Sequence, residues 1–190
     1  RNAKYLLVLL DELRAHGDFE HLENEISTYT SAGDDLQSLY AVVVQRWEMQ
    51  YDAALLRDTI CVLWLSRTGL AEDELVELAA VRNGWAWATL FGALRDVLVC
   101  RDGLFAIEAR NLKRVVRERY LRDGSTKRRY ERKLATFFTS ASRATGRGTD
   151  EAGAAADARP LPPPTRRRVL QRAYHLWRLI GGDGGSSGSS

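Results

Sequence analysis

Between Trp64 and Leu121 the apolar period of the chain switches from helical to strand-like and back, and this order restricts the fold more than any other feature. The stretch reads helix, turn, helix, helix, tight hairpin, helix. The turn is Arg67-Thr68-Gly69-Leu70, and the next helix opens near Ala71-Glu72-Asp73-Glu74-Leu75. The hairpin runs Leu98-Val99-Cys100, then Arg101-Asp102-Gly103, then Leu104-Phe105-Ala106-Ile107. Its Asp-Gly pair supplies the positive φ angles of a tight turn. This is the element order of a winged helix, a fold that either reads DNA or serves as a regulatory module in a larger switch.

The flanks read as helices. An apolar helix over residues 4–15, taken as buried, ends at His16-Gly17, where glycine suits the position after a helix. Asp18 to Thr30 is a second helix, with Phe19, Leu22, Ile26 and Tyr29 on one face. Leu36 to Asp52 carries the stripe Leu36, Leu39, Tyr40, Val43, Val44 and Trp47, and Ala53 to Ser66 is richly apolar. Gly84 is expected to break the helix that opens at Ala71, and Trp85 to Val97 to form the next. Asn111 to Leu121 places Leu112, Val115, Val116 and Tyr120 inward. Lys127 to Ser140 does so with Tyr130, Leu134, Phe137 and Phe138. Residues 141–165 are rich in Ala, Gly, Thr and Pro and are expected to form a flexible loop. Thr165 to Ile180 returns to helix, and Gly181 to Ser190 is a Gly/Ser tail.

The expected fold is therefore mostly α. A helical domain (1–52) precedes a winged-helix domain with a small β-hairpin (53–140). The 141–165 loop, a C-terminal helix (166–180) leading to a repeat region, and the tail (181–190) follow. No internal repeat is visible. The chain lacks an initial Met and a signal-peptide cleavage pattern, so it reads as a piece excised from a longer intracellular, cytoplasmic protein. No run of 18 or more apolar residues suggests a membrane span.

Composition narrows the chemistry. Cys61 and Cys100 sit among Val, Leu and Ile and read as two buried free thiols in a reducing compartment. Neither has a second Cys or His at zinc-ligand spacing. There is no glycine-rich phosphate loop, no GxSxG and no HExxH, so the chain reads as non-enzymatic, with no catalytic residue, no metal site and no cofactor of its own. His16, His21 and His175 are scattered. The acidic run Glu72-Asp73-Glu74 is expected to serve the helix dipole.

Charge is polarised. Residues 1–80 hold 15 acidic and 6 basic side chains, residues 81–190 hold 10 and 22, and the whole chain carries +3. Arg110, Lys113, Arg114 and Arg117 recur at helical spacing on one face, and Arg122, Lys127, Arg128, Arg129, Arg132 and Lys133 follow. That surface is either a partner or nucleic-acid contact or a solvated face, and one half of the chain can dock on the other.

A base-reading helix must offer Arg, Lys, Asn or Gln from its first turns. The candidate here, Trp85 to Arg95, is almost wholly apolar, with Arg82 and Asn83 just ahead of it. Trp85 and Trp87 read as packing anchors, in the core or against another domain. The second helix therefore packs on protein.

These residues resemble the region after the ATPase core in NACHT-type STAND NTPases. The resemblance rests on Asn2-Ala3-Lys4-Tyr5-Leu6 with Leu10-Asp11-Glu12-Leu13-Arg14, and on Leu63 to Leu75. Arg119-Tyr120-Leu121 and Tyr174-His175-Leu176 extend it. It implies a non-catalytic regulatory or scaffolding module that packs on a preceding nucleotide-binding domain and relays its state to partner-binding repeats. It also implies that Asn2, Ala3 and Ala109 stand near an ATP or ADP held by the parent protein, with Ala3 in place of the family's Pro and Ala109 in place of its His. Expected partners are the adjacent nucleotide-binding and repeat domains or other subunits, with nucleic acid as an alternative and no membrane. A passive structural role in a ciliary or other assembly is a further alternative on this analogy.

Overall fold

The computed structural model describes residues 3–16, 26, 27, 29, 35–146 and 163–180. In order these form α1 (Ala3–His16), α2 (Leu36–Gln50), α3 (Ala53–Leu65), α4 (Glu72–Leu78) and α5 (Gly84–Arg95). They continue through β1 (Leu98–Arg101), β2 (Leu104–Ile107), α6 (Arg110–Tyr120), α7 (Gly124–Gly146) and α8 (Pro163–Ile180). The protein is mostly helical, with one small antiparallel sheet among the described residues.

Helix starts follow local chemistry. Asp35 accepts from the Ser38 N–H at 2.8 Å and opens α2, and that bond holds its carboxyl below the usual range. Asp52 accepts from the Ala54 and Leu55 amides at 2.9 and 3.1 Å, and Asn83 from those of Trp85 and Ala86 at 3.0 and 3.3 Å. Asp123 caps α7 through Ser125 and Thr126, and its bonds with Ser125 pull its carboxyl down to about 2. At α4 the cap residue is Ala71, so the Glu74 carboxylate reaches back to the Ala71 N–H at 3.0 Å.

The core is one cluster from Tyr5 to Phe138. All six apolar residues of the α2 stripe are buried. Helix α3 is the central strut: Leu56, Ile60, Cys61, Val62, Leu63 and Leu65 are buried, and α2, α4, α6, α7 and β2 pack around it. Trp87 stacks on Phe91 with centroids 4.9 Å apart, and Phe91 meets Phe105 edge-on at the same separation, so α5 is pinned to the hairpin.

The hairpin pairs Leu98 with Ile107 through Arg101 with Leu104. Its turn has Asp102 at φ 52 and Gly103 at φ 76, the mirror-image geometry the Asp-Gly pair predicts. One further bridge joins it to the Thr68-Gly69 turn. The Leu70 N–H donates to the Phe105 carbonyl at 3.0 Å, and the Phe105 N–H to that of Leu70 at 2.8 Å. Gly69, at φ 86, permits this approach, because a Cβ there would lie 2.7 Å from the Phe105 oxygen.

Several expectations change. Helix α1 is one-sided: Tyr5 and Leu9 are buried, but Leu6, Leu7 and Leu10 are exposed. Ile26 is exposed while Tyr29 is buried, and Phe19 and Leu22 lie outside the described residues. Gly84 opens a helix instead of breaking one. Helix α4 has already ended at Leu78, and the chain turns through Ala80 at φ 52. Cys61 is buried as expected, but Cys100 is exposed, because a lone hairpin covers only one of its faces. The expected 141–165 loop is helical at both ends, since α7 runs to Gly146 and α8 begins at Pro163. Proline suits that start, because the first helical N–H groups have no partner to lose. The rest of the expected loop, the helix end at Gly17 and the 181–190 tail lie outside the described residues.

Candidate functional site

Helix α5 presents two unlike faces. Trp87, Leu90, Phe91 and Leu94 point into the core. The outer face carries Trp85, 78% exposed, with exposed Ala88 and Gly92 beyond it. Of the two anchoring tryptophans expected from sequence, Trp87 is a core residue and Trp85 is not covered. Arg95 lies in the last turn, so no basic or amide side chain stands in the first turns of this helix.

The acidic and basic halves do meet. Glu48 of α2 accepts from Arg119 Nε at 2.9 Å and from Arg119 Nη2, and also from the Tyr120 hydroxyl. The Arg119 bonds hold the Glu48 carboxyl below its usual range, while burial and then the bond to Glu48 push the Tyr120 phenol up. Asp58 of α3 accepts from Tyr130 and lies 3.8 Å from Lys133 Nζ.

Helix α8 is held by a polar clamp that sequence reading missed. Arg167 Nη1 and Nη2 donate to the two oxygens of Glu74 at 2.8 Å each, and Nη2 also donates to the Gly69 carbonyl at 2.8 Å. Gln171 Nε2 donates to Thr68 Oγ1 at 2.6 Å. Glu74, expected to serve the helix dipole, is therefore a buried ion-pair partner as well. Arg178 Nη2 lies 2.9 Å from buried Glu131. Between these ends His175 is fully buried, parallel to Phe138 with centroids 6.2 Å apart, and neither of its nitrogens has a hydrogen-bond partner among the described residues. Burial, and then the Arg178 charge, lower its pKa to about 4. The opposite face of α8 leaves Leu170 and Trp177 exposed.

The expected basic surface is present and concave. Arg110, Lys113, Arg114 and Arg117 are all exposed on α6. Lys113, Arg114 and Arg117 line a groove of about 1360 Å³, together with Arg122, Lys127 and Arg178; Arg110 is not part of it. Trp64 and Leu121 form its apolar wall, and Trp64 Nε1 donates to the Lys113 carbonyl at 2.8 Å. Glu118, the carboxylate in the lining, is engaged by Arg114 Nε at 3.1 Å and Gln37 Nε2 at 3.0 Å. The 110–133 run itself signals most of this surface, but Arg178 joins from a separate helix much later in the chain, which no local spacing reveals.

Three candidate residues remain, Asn2, Ala3 and Ala109. Asn2 lies outside the described residues, Ala3 is the first residue of α1, and Ala109 is the half-buried residue that starts α6. A methyl side chain at Ala3 or Ala109 offers no hydrogen bond to a nucleotide. Among the described residues no cluster of three or more His, Cys, Asp or Glu is placed to hold a metal ion, and no helix is long and apolar enough to cross a membrane.

These features define a mostly α-helical module with one β-hairpin, a basic groove and uncovered apolar side chains on α1, α5 and α8. No family model matches the chain, and no solved structure matches it. It is similar to a TPR repeat-containing protein of Dictyostelium discoideum, at 24% identity over 125 residues. The match covers 63% of this chain, which spans about 8% of that relative's length.

Proposed function

We propose that the chain is a non-catalytic packing module built on a winged helix, which docks on a nucleotide-binding domain and passes that domain's state to partner-binding repeats. The observation that carries this reading is the outer face of α5, where Trp85, Ala88 and Gly92 stand in place of base-reading side chains. The Leu70–Phe105 bridge supports the winged-helix reading, because it ties the turn before α4 to the hairpin edge through one isolated bridge. The exposed apolar residues of α1 and α5 suit a preceding domain, and Leu170 and Trp177 of α8 suit a following helix. The likeness to the Dictyostelium TPR repeat-containing protein fits a scaffold with protein partners. The mechanism is a two-state one, in which a nucleotide shifts the docking equilibrium by its unequal affinity for the two arrangements.

The test compares ATP and ADP binding by this chain with binding by a longer polypeptide that carries a P-loop domain ahead of it. The expected result is binding by the longer polypeptide alone, with a Trp85→Ser substitution changing its preference between the two nucleotides. Equal binding by both, or by neither, contradicts the reading.

The exposed row of Arg110, Lys113, Arg114 and Arg117 along α6, taken as a ridge apart from the groove, favours a second reading, nucleic-acid binding. It requires duplex affinity that falls steeply with salt and is lost in Arg114→Glu/Arg117→Glu.

A further inference from the structure

The geometry points to the groove between α6, the start of α7 and the end of α8 as a binding site for a compact polyphosphate, a ligand whose several phosphates are clustered and not strung along a helix. Its cations come from three helices and one turn: Lys113, Arg114 and Arg117 from α6, Arg122 from the turn after it, Lys127 from α7 and Arg178 from α8. The carboxylates beside them are already engaged, Glu118 by Arg114 and Gln37 and Glu131 by Arg178. Lys113, Arg117 and Arg122 have no ion-pair partner among the described residues, so the groove holds a surplus of positive charge.

Four of the six cations are arginines, whose planar forks match phosphate oxygens two at a time. Lys113 and Arg117 lie one helical turn apart, as like charges that repel each other along α6. A clustered anion removes that repulsion, so binding and folding are coupled and the ligand raises the thermal midpoint. Shape separates this ligand from a duplex. Phosphates spaced along a duplex need cations along an extended ridge, whereas these line one open groove of about 1360 Å³ with Trp64 in its wall. Because Arg178 also holds buried Glu131, a ligand that bridges Arg178 to α6 fastens α8 to the body. This inference concerns a different surface from the α5 face and stands or falls independently of nucleotide-dependent docking.

The test titrates the full chain with inorganic tripolyphosphate, with inositol hexakisphosphate and with a short RNA duplex, by calorimetry at about 150 mM salt. The two small probes distinguish a linear from a ring-borne cluster, and saturable one-to-one binding of either supports the proposal. Arg117→Gln/Arg122→Gln should weaken it about tenfold or more, as loss of charge-assisted bonds requires. Arg110→Gln/Arg128→Gln removes the same charge from exposed positions outside the groove and should change affinity less than about twofold. Absence of binding by both probes, equal losses in the two double variants, or a duplex that binds more tightly than either probe and displaces it would each overturn the proposal.

Discussion

Replacing Arg167 with Ala should unlatch α8 from the body of the protein. Three donor bonds of 2.8 Å are lost, two to Glu74 and one to the Gly69 carbonyl. The pair is buried, with side-chain exposures of 19% for Arg167 and 5% for Glu74. Removing one partner of such a pair costs about 3–5 kcal/mol, because the other charge stays buried without its counterion. The lower end, about 3 kcal/mol, applies here, since Arg167 keeps some contact with water and Glu74 retains the Ala71 N–H. The assay is hydrogen exchange over residues 167–178 with urea unfolding in parallel. An opening cost reduced by that amount speeds exchange in α8 roughly a hundredfold. The matched replacement Glu74→Leu/Arg167→Met leaves no unpaired charge but also removes the cap on the Ala71 N–H, so it should cost only about 1 kcal/mol, well below the Arg167→Ala loss. If Arg167→Ala changes stability by less than about 0.5 kcal/mol, the value of a solvent-exposed pair, the clamp is not the buried element described.

His175 should make stability depend on acidity. Its folded pKa of about 4 lies below the ordinary 6.5, so the unfolded chain binds the extra proton first. Stability then falls as pH drops from 6.5 toward 4, by an amount on the order of 3 kcal/mol. The difference in urea midpoint between the natural protein and His175→Leu, followed over that range, isolates this slope from the carboxylates. Gly69→Ala should cost about 2 kcal/mol or more, since it combines positive φ with a Cβ 2.7 Å from the Phe105 oxygen. Gly103→Ala meets open space and should cost only about 1 kcal/mol, both read by thermal unfolding. A thiol reagent should label Cys100 alone in the folded protein and both cysteines in denaturant, because burial pushes the Cys61 thiol up to about 12.

Much of the architecture is written in local pattern. The α2 stripe is fully buried because its spacing follows the helical period, and the Asp102-Gly103 turn forms because few residues tolerate its backbone angles. The misplacements have physical causes. Residues 141–146 lack large apolar side chains, yet they continue a helix already nucleated at Asp123, and extending a helix costs far less than starting one. Cys100 looks apolar by its neighbours, but strand neighbours point to opposite faces. The clamp was illegible because Arg167 and Glu74 lie 93 residues apart. The Glu74 carboxylate already had a local explanation, at the start of α4. Half of the basic groove could be read from the α6 spacing. Its closure by Arg178 depends on how α8 packs against α7, which no single segment encodes.

The central claim is that the outer face of α5 packs on protein, and hydroxyl-radical footprinting at Trp85 tests it most directly. In this chain alone Trp85 is 78% exposed and should react readily, while buried Trp87 is protected. In the longer polypeptide carrying a nucleotide-binding domain, the reactivity of Trp85 should fall and should differ between the ATP-bound and ADP-bound forms. Undiminished reactivity in both nucleotide states would contradict the account.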